Sequence, residues 1–234
     1  MEEQSLASII SQKKAVIFDL FHTLTALEST WSTRPSTSEM LGVSKEAWNE
    51  QLLEKSRARL TGEERDPYTI ICKMAHAIDS RISDALIQKA VQNRIERFAG
   101  ALISIPATTN EVLVKLKGSQ KKIGLLSNAD VTEIVAWPQS PICNLFDSVI
   151  FSCEVGYVKP ERAIYEIALK SLGVQPEDAM FVGDGGAREL EGAKAIGMTT
   201  VMIAGIIREI WPEKIEERKL CADHFIEKLD ELCG

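Results

Sequence analysis

The sequence is short of several things, and each shortage removes a class of function. Basic residues are in deficit, 27 Lys and Arg against 34 Asp and Glu, for a net charge of −7 and a pI near 5.2. That balance argues against nonspecific binding to nucleic acid or to an acidic membrane. It leaves room for a small anionic substrate, because a local cationic pocket can sit on an acidic protein. Cysteines are few and odd in number: Cys72, Cys143, Cys153, Cys221 and Cys233. No two stand at the C-x-x-C spacing of a zinc or redox site, so packed, free thiols in a reducing compartment are expected. Long apolar runs are missing too. VMIAGII at 201–207 is far too short to span a bilayer. The stretch MEEQSLASII is acidic where an export signal would be basic. The expectation is a soluble cytoplasmic protein, with no nucleic-acid or membrane partner. There is no internal repeat and no low-complexity segment. What remains is ordinary globular material, 45% hydrophobic and 26% charged, enough to bury a sizeable core.

That material is arranged with a rhythm. AVIFDL (15–20), KIGLLS (122–127), SVIFS (148–152), AMFVGD (179–184) and TTVMIA (199–204) are short, aliphatic or β-branched, and end in polar residues or glycine. DHFI (223–226) reads as a sixth strand. Helical patterns lie between them at TNEVLVKLK (109–117), PERAIYEIALKSLG (160–173) and ARELEGAKAIG (187–197). In the second, Pro160 suits a first helical position, Ile164, Ile167, Ala168 and Leu172 form one face, and Gly173 closes it. Strands alternating with helices predict an α/β fold, a Rossmann-like parallel-sheet core covered on both faces. Residues 26–104 break the rhythm. They show no strand and read as helices at 44–60, 67–79 and 83–100, the last with Leu86, Ile87, Ala90, Val91, Arg94, Ile95 and Phe98 at helical spacing and Ser83 as N-cap. We therefore expect a core from 1–25 and 105–234 and a small all-helical second domain from 26–104. The charge-rich EKIEERK (213–219) reads as a solvated face.

In parallel sheets, chemistry collects at the carboxyl ends of strands. Asp19, Ser127 and Asp184 all stand at such ends. Ser127 and Asn128 offer a hydroxyl and backbone amides at a strand-to-helix turn, a setting that suits an anion. Lys159 could neutralise a phosphate as a point cation. Asp184 and Glu189, in FVGDGGARELEGA, suggest a hard-cation site with oxygen ligands, such as magnesium. A dinucleotide fingerprint fails here, because Arg188 occupies the third glycine position and the segment comes late in the chain.

In this order, Asp19 with Thr23, then Ser127, then Lys159, then Asp184 with Glu189 resembles the four motifs of the haloacid dehalogenase (HAD) superfamily of hydrolases. The helical stretch after the first motif resembles the cap of one subgroup. The resemblance implies that Asp19 is a nucleophile oriented by Thr23. It implies that Ser127, Asn128 and Lys159 hold the transferring group, and that Asp19, the Phe21 carbonyl and Asp184 hold Mg2+, with Glu189 behind them. The implied partner is a small phosphorylated molecule.

The sequence also departs from the family pattern. The usual first motif is D-x-D-G-T, whereas this chain has Asp19-Leu20-Phe21-His22-Thr23. The second Asp of the pattern protonates the leaving alcohol and then activates water; Phe21 can do neither. General acid–base catalysis supplies about 10²–10⁴-fold, so slow turnover of simple phosphomonoesters and a preference for acyl or aryl phosphates are expected. An aromatic at this position, and Tyr165, also match the metal-independent dehalogenase branch. Asp184 speaks against that branch, because an unneutralised carboxylate would repel a haloacid's own carboxylate. A non-catalytic phosphometabolite-binding protein is the other reading left open. His22, with a titration range suited to proton transfer, is a candidate substitute acid. Arg34, Trp31 and Trp48 lie in the inserted stretch, and nothing in the sequence aims them at a pocket.

Overall fold

A computed structural model describes residues 5–233. Six strands form one parallel sheet: β1 (Ala15–Phe18), β2 (Lys122–Ser127), β3 (Ser148–Phe151), β4 (Ala179–Gly183), β5 (Thr199–Ile203) and β6 (His224–Ile226). Their order across the sheet is β3-β2-β1-β4-β5-β6. All six strands expected from the sequence are present, and β1 is completely buried.

The alternation of side chains along each strand builds two cores on one sheet. Val16 and Phe18 of β1 and Met180 and Val182 of β4 face one core with Leu113 and Leu116. Ala15, Ile17, Ala179 and Phe181 face the other, with Ile164, Tyr165 and Leu172 of the helix Arg162–Leu172. Burial of each such side chain is worth roughly 1.5–3 kcal/mol, so register slips that would swap the two faces are strongly disfavoured.

Between β1 and β2 the described residues contain helices only, including Lys45–Leu53, Arg57–Leu60, Pro67–Ile78 and Asp84–Ile103. They bury a small core of their own around Leu41, Trp48, Ile71, Met74 and Ile87. The last turns of Asp84–Ile103 leave it, and Ala99 and Leu102 pack into the larger core. Two local readings are corrected. The stretch 44–60 is two helices with a break at 54–56, not one. Pro160 is not a first helical residue: its peptide bond with Lys159 is cis, Glu161 is the N-cap, and the helix begins at Arg162.

β1 lies between β2 and β4, with Phe18 paired to both Leu125 and Val182. The chain thus sets three adjacent strand ends side by side, carrying Ser127, Asp19 and Asp184. This is where connections leave the sheet in opposite directions, the crevice in which open α/β sheets bind ligands.

Candidate active site

The Asp19 amide is tied to the carbonyl of Val182 at 2.9 Å, which fixes the carboxylate just beyond the sheet. Thr23 Oγ1 donates to Asp19 Oδ2 at 3.2 Å. Lys159 Nζ bridges two carboxylates, 2.5 Å from Asp19 Oδ1 and 2.5 Å from Glu189 Oε2. The loop that carries Lys159 is held by Asn128, whose side-chain amide both accepts from the Lys159 N–H (2.8 Å) and donates to its carbonyl (3.0 Å). Asn128 therefore positions the lysine. Ser127 Oγ is buried and has no partner among the described residues, and Ser127 does not line the cavity above the acids, which Asn128 does.

The loop after β4 is shaped around its acids. Glu189 Oε1 accepts from the Gly185 N–H at 3.0 Å, and Asp184 Oδ1 from the Gly186 N–H at 2.7 Å. A Cβ at Gly183 would clash with Glu189 Oε1, so any larger residue there would displace the Glu189 carboxylate. Tyr165 OH donates to the Glu189 carbonyl at 2.8 Å from below. Asp19, Asp184 and Glu189 are all buried and can bring one oxygen each within 4.8 Å of one another. Burial pushes the Asp19 carboxyl up and the Asp184 charge adds to it, against the pull of Lys159. Glu189 is raised well above the ordinary carboxylate range by burial and by Asp19. For Lys159, burial alone would lower the ammonium, but Asp19 and Glu189 outweigh it and hold it charged. Three crowded, buried carboxylates, Asp19 and Asp184 with Glu189 behind them, are oxygen donors of the kind that fit a hard divalent ion such as magnesium.

Above these acids lies a cavity of about 370 Å3 that also reaches Arg59, Arg94 and Glu133. Phe21 does not project as a polar group would. Its ring packs edge-on against Phe98 (centroids 5.2 Å) and at a tilt against Trp31 (5.7 Å). His22 has φ +63, the left-handed region that glycine enters freely. Its ring lies over Trp31, edge-on to Trp211, with Nδ1 3.9 Å from Asp184 Oδ2. His22 thus reaches the cavity on the Asp184 side, while Phe21 faces Trp31 and Phe98. Of the inserted residues, only Trp31 among the three named reaches the cavity. Trp48 is buried in the small core and Arg34 is exposed, paired with Glu96 at 2.6 Å.

Two groups escaped the sequence. Arg218, in a stretch whose sequence reads as a solvated face, turns inward: Nη1 donates to the Asp184 carbonyl and to Oδ2, both at 3.0 Å. The other is a buried quartet. Arg59 Nη1 meets Asp130 Oδ2 at 2.8 Å, and Arg94 Nη2 meets Glu133 Oε1 at 2.5 Å. A signal for the quartet was present, since Arg94 stands on the apolar face of its helix. For Arg218 there was none, because EERK is what a solvated helix end looks like.

Residues 13–197 match the haloacid dehalogenase-like hydrolase family. The glyceraldehyde 3-phosphate phosphatase of Methanothermobacter thermautotrophicus is 30% identical over 123 residues, 51% of this chain and 54% of that protein. The chain thus spans about half the length of that curated relative. The (S)-2-haloacid dehalogenase 4A of Burkholderia cepacia is 26% identical over 200 residues, 83% of this chain and 84% of that protein. A HAD family enzyme from Bacteroides thetaiotaomicron, solved with magnesium and inorganic phosphate, superposes with a TM-score of 0.58 at 20% identity, covering 82% of this chain and 94% of that one.

Proposed function

The chain belongs to the haloacid dehalogenase-like hydrolases, and from that premise we propose that it is a magnesium-dependent phosphatase or phosphotransferase acting on a small phosphorylated molecule. The observation that carries this reading is the buried excess of acid: Asp19, Asp184 and Glu189 crowd together against Lys159 and Arg218. Burying an uncompensated carboxylate is costly, and an excess of them is understandable where a further cation is to be bound. A magnesium-containing relative and a phosphatase relative support the same reading.

In this proposal Asp19 Oδ attacks the phosphorus, an aspartyl-phosphate forms as the ester oxygen leaves, and water then releases phosphate. Lys159, bonded to Asp19, lies where it can balance charge on the transferring group, with Ser127 and Asn128 beside it. Asp19, the Phe21 carbonyl and Asp184 would hold magnesium, which when bound neutralises the anionic phosphoryl group beside the nucleophile. Glu189 acts from behind, both its oxygens being engaged by Lys159 and Gly185. The helices of 26–104 serve as a cap over the cavity, excluding water from the site. Nothing at Phe21 can give a proton to the leaving oxygen, and the nearest titratable ring, His22, stands toward Asp184. The favoured substrates are therefore acyl and aryl phosphates, whose leaving groups depart unprotonated. The aromatic wall of Phe21, Trp31 and Phe98 suits the apolar end of such a molecule.

A second reading, the metal-independent dehalogenase, gains one point from Arg218. The Asp184 charge that would repel a haloacid is not unneutralised, as the sequence alone suggested, but paired. It is outweighed by the acid that remains in excess. Borohydride trapping after incubation with acetyl phosphate and magnesium tests the proposal: reduction of an acyl phosphate converts residue 19 to homoserine, read by peptide mass. Trapping elsewhere, or modification only by a haloacid in the presence of chelator, would contradict it.

A further inference from the structure

Arg218 lies outside the residues that match the family, yet it is built into the site. Its aliphatic stem crosses Gly185 (φ +82), where a Cβ would stand 2.9 Å from the Arg218 Cβ and 3.1 Å from its Cδ. Only glycine allows both the left-handed turn and this close approach. The guanidinium lies 5.8 Å from the centre of the Trp211 ring, a cation–π arrangement. The side chain is 16% exposed and its partner Asp184 8%. A long arginine held at its stem, its face and its tip is not a loose surface cation.

What it holds matters more. Asp184 Oδ1 already has its orienting donor in the Gly186 N–H. Arg218 takes the other oxygen, Oδ2. A neutral donor behind a ligating carboxylate supports a metal ion by fixing the ligand. A guanidinium does more than this, because it brings a full charge that cannot be given up by deprotonation. Two cations on one buried carboxylate repel each other.

Building on the magnesium reading of this site, we propose that Arg218 is an internal competitor for the divalent ion at Asp184. It satisfies Oδ2 in the free protein, and the ion binds only as the guanidinium gives that bond up. Arg218 therefore keeps the acid cluster folded and closed without metal, and sets a weak metal affinity.

Calorimetric titration of Mg2+ into wild type, Arg218→Met and Arg218→Lys tests this, with the Mg2+-induced rise in melting temperature as a second readout. Methionine retains a stem over Gly185 and removes the charge. The expected result is that Arg218→Met binds Mg2+ about tenfold more tightly or better, while Arg218→Lys stays near wild type. Equal or weaker binding by Arg218→Met, with wild type binding normally, would overturn the competitor role and leave the metal reading standing. Absence of Mg2+ binding in all three folded proteins would overturn both.

Discussion

Two buried charge clusters line one cavity, and they are opposite in design. In the quartet, Arg59 and Arg94 from the inserted helices face Asp130 and Glu133 from the segment after β2, two cations against two acids. Further bonds complete it: Arg94 Nε to Thr132 Oγ1 at 3.0 Å and Arg59 to the Leu52 carbonyl at 2.6 Å. Burial works against the ionised form of Asp130, but Arg94 and Arg59 more than offset it and hold that carboxyl below its usual range. In the cluster at the strand ends, three acids face two cations, and Asp19 and Glu189 are raised; Glu133 of the quartet is raised too, by burial and by Asp130, so the two clusters differ in their count of charges. Charge balance marks a joint between the inserted helices and the core. Charge imbalance in a largely buried cluster is the feature on which the proposed binding of a further cation rests.

The largest effect is expected at Asp19, the proposed nucleophile. Asp19→Asn should abolish turnover, by more than about 10⁴-fold, yet leave the fold intact or slightly more stable, because it removes one acid from an acid-rich cluster. Steady-state rates and urea denaturation on the same preparation decide this. Asp130→Ala should do the reverse, costing about 3–5 kcal/mol of stability by leaving two buried arginines short of a partner. A loss below about 1 kcal/mol in urea denaturation would mean the quartet is not a joint. At Phe21 the effect is smaller and of opposite sign. Phe21→Asp should raise p-nitrophenyl phosphate hydrolysis at least tenfold by restoring a proton donor, at some cost in stability where the ring packed on Trp31 and Phe98; an unchanged rate would contradict the role assigned to the missing acid.

A pH series sharpens the contrast further. Asp130 has a folded value below its unfolded one, so its contribution is fully present above about pH 4. It is lost as pH falls through the depressed folded value. Asp130→Asn should therefore flatten the acid limb of stability against pH, and an unaltered limb would remove Asp130 from the account. Smallest of all, His22→Ala should change turnover by less than about threefold, since the ring faces Asp184 and not the leaving group. A loss approaching the roughly 10²-fold of a general acid would make His22 the proton donor after all.

Much of this architecture was legible in the residues. Buried strands such as AVIF and AMFVG read as apolar runs because both sheet faces are covered, and the polar residue that ends each run marks the edge that carries the candidate site. Asp19, Asp184 and Glu189 each follow a local signal, a strand end or a helix start, whereas Lys159, three residues before the helix Arg162–Leu172, joins them only through the order of the motifs. Arg218 could not, since its partner is set by how the segment 205–219 folds back over the loop after β4, and no local pattern carries that. The quartet was half legible: Arg94 on an apolar helix face called for a buried acid, but which acid depends on how the helix docks. Pro160 was misread because a proline before a helix looks the same whether its peptide bond is cis or trans.

If the acid-rich cluster around Asp19 binds a divalent ion in order to move a phosphoryl group, turnover must depend on both the ion and Asp19. Acetyl phosphate hydrolysis measured across a magnesium titration, for wild type and Asp19→Asn, tests it most directly. Hydrolysis is expected to rise with magnesium, to fall away with chelator and to be absent in Asp19→Asn. Activity indifferent to magnesium and chelator, or halide release from a 2-haloacid under chelator that depends on Asp19, would contradict it.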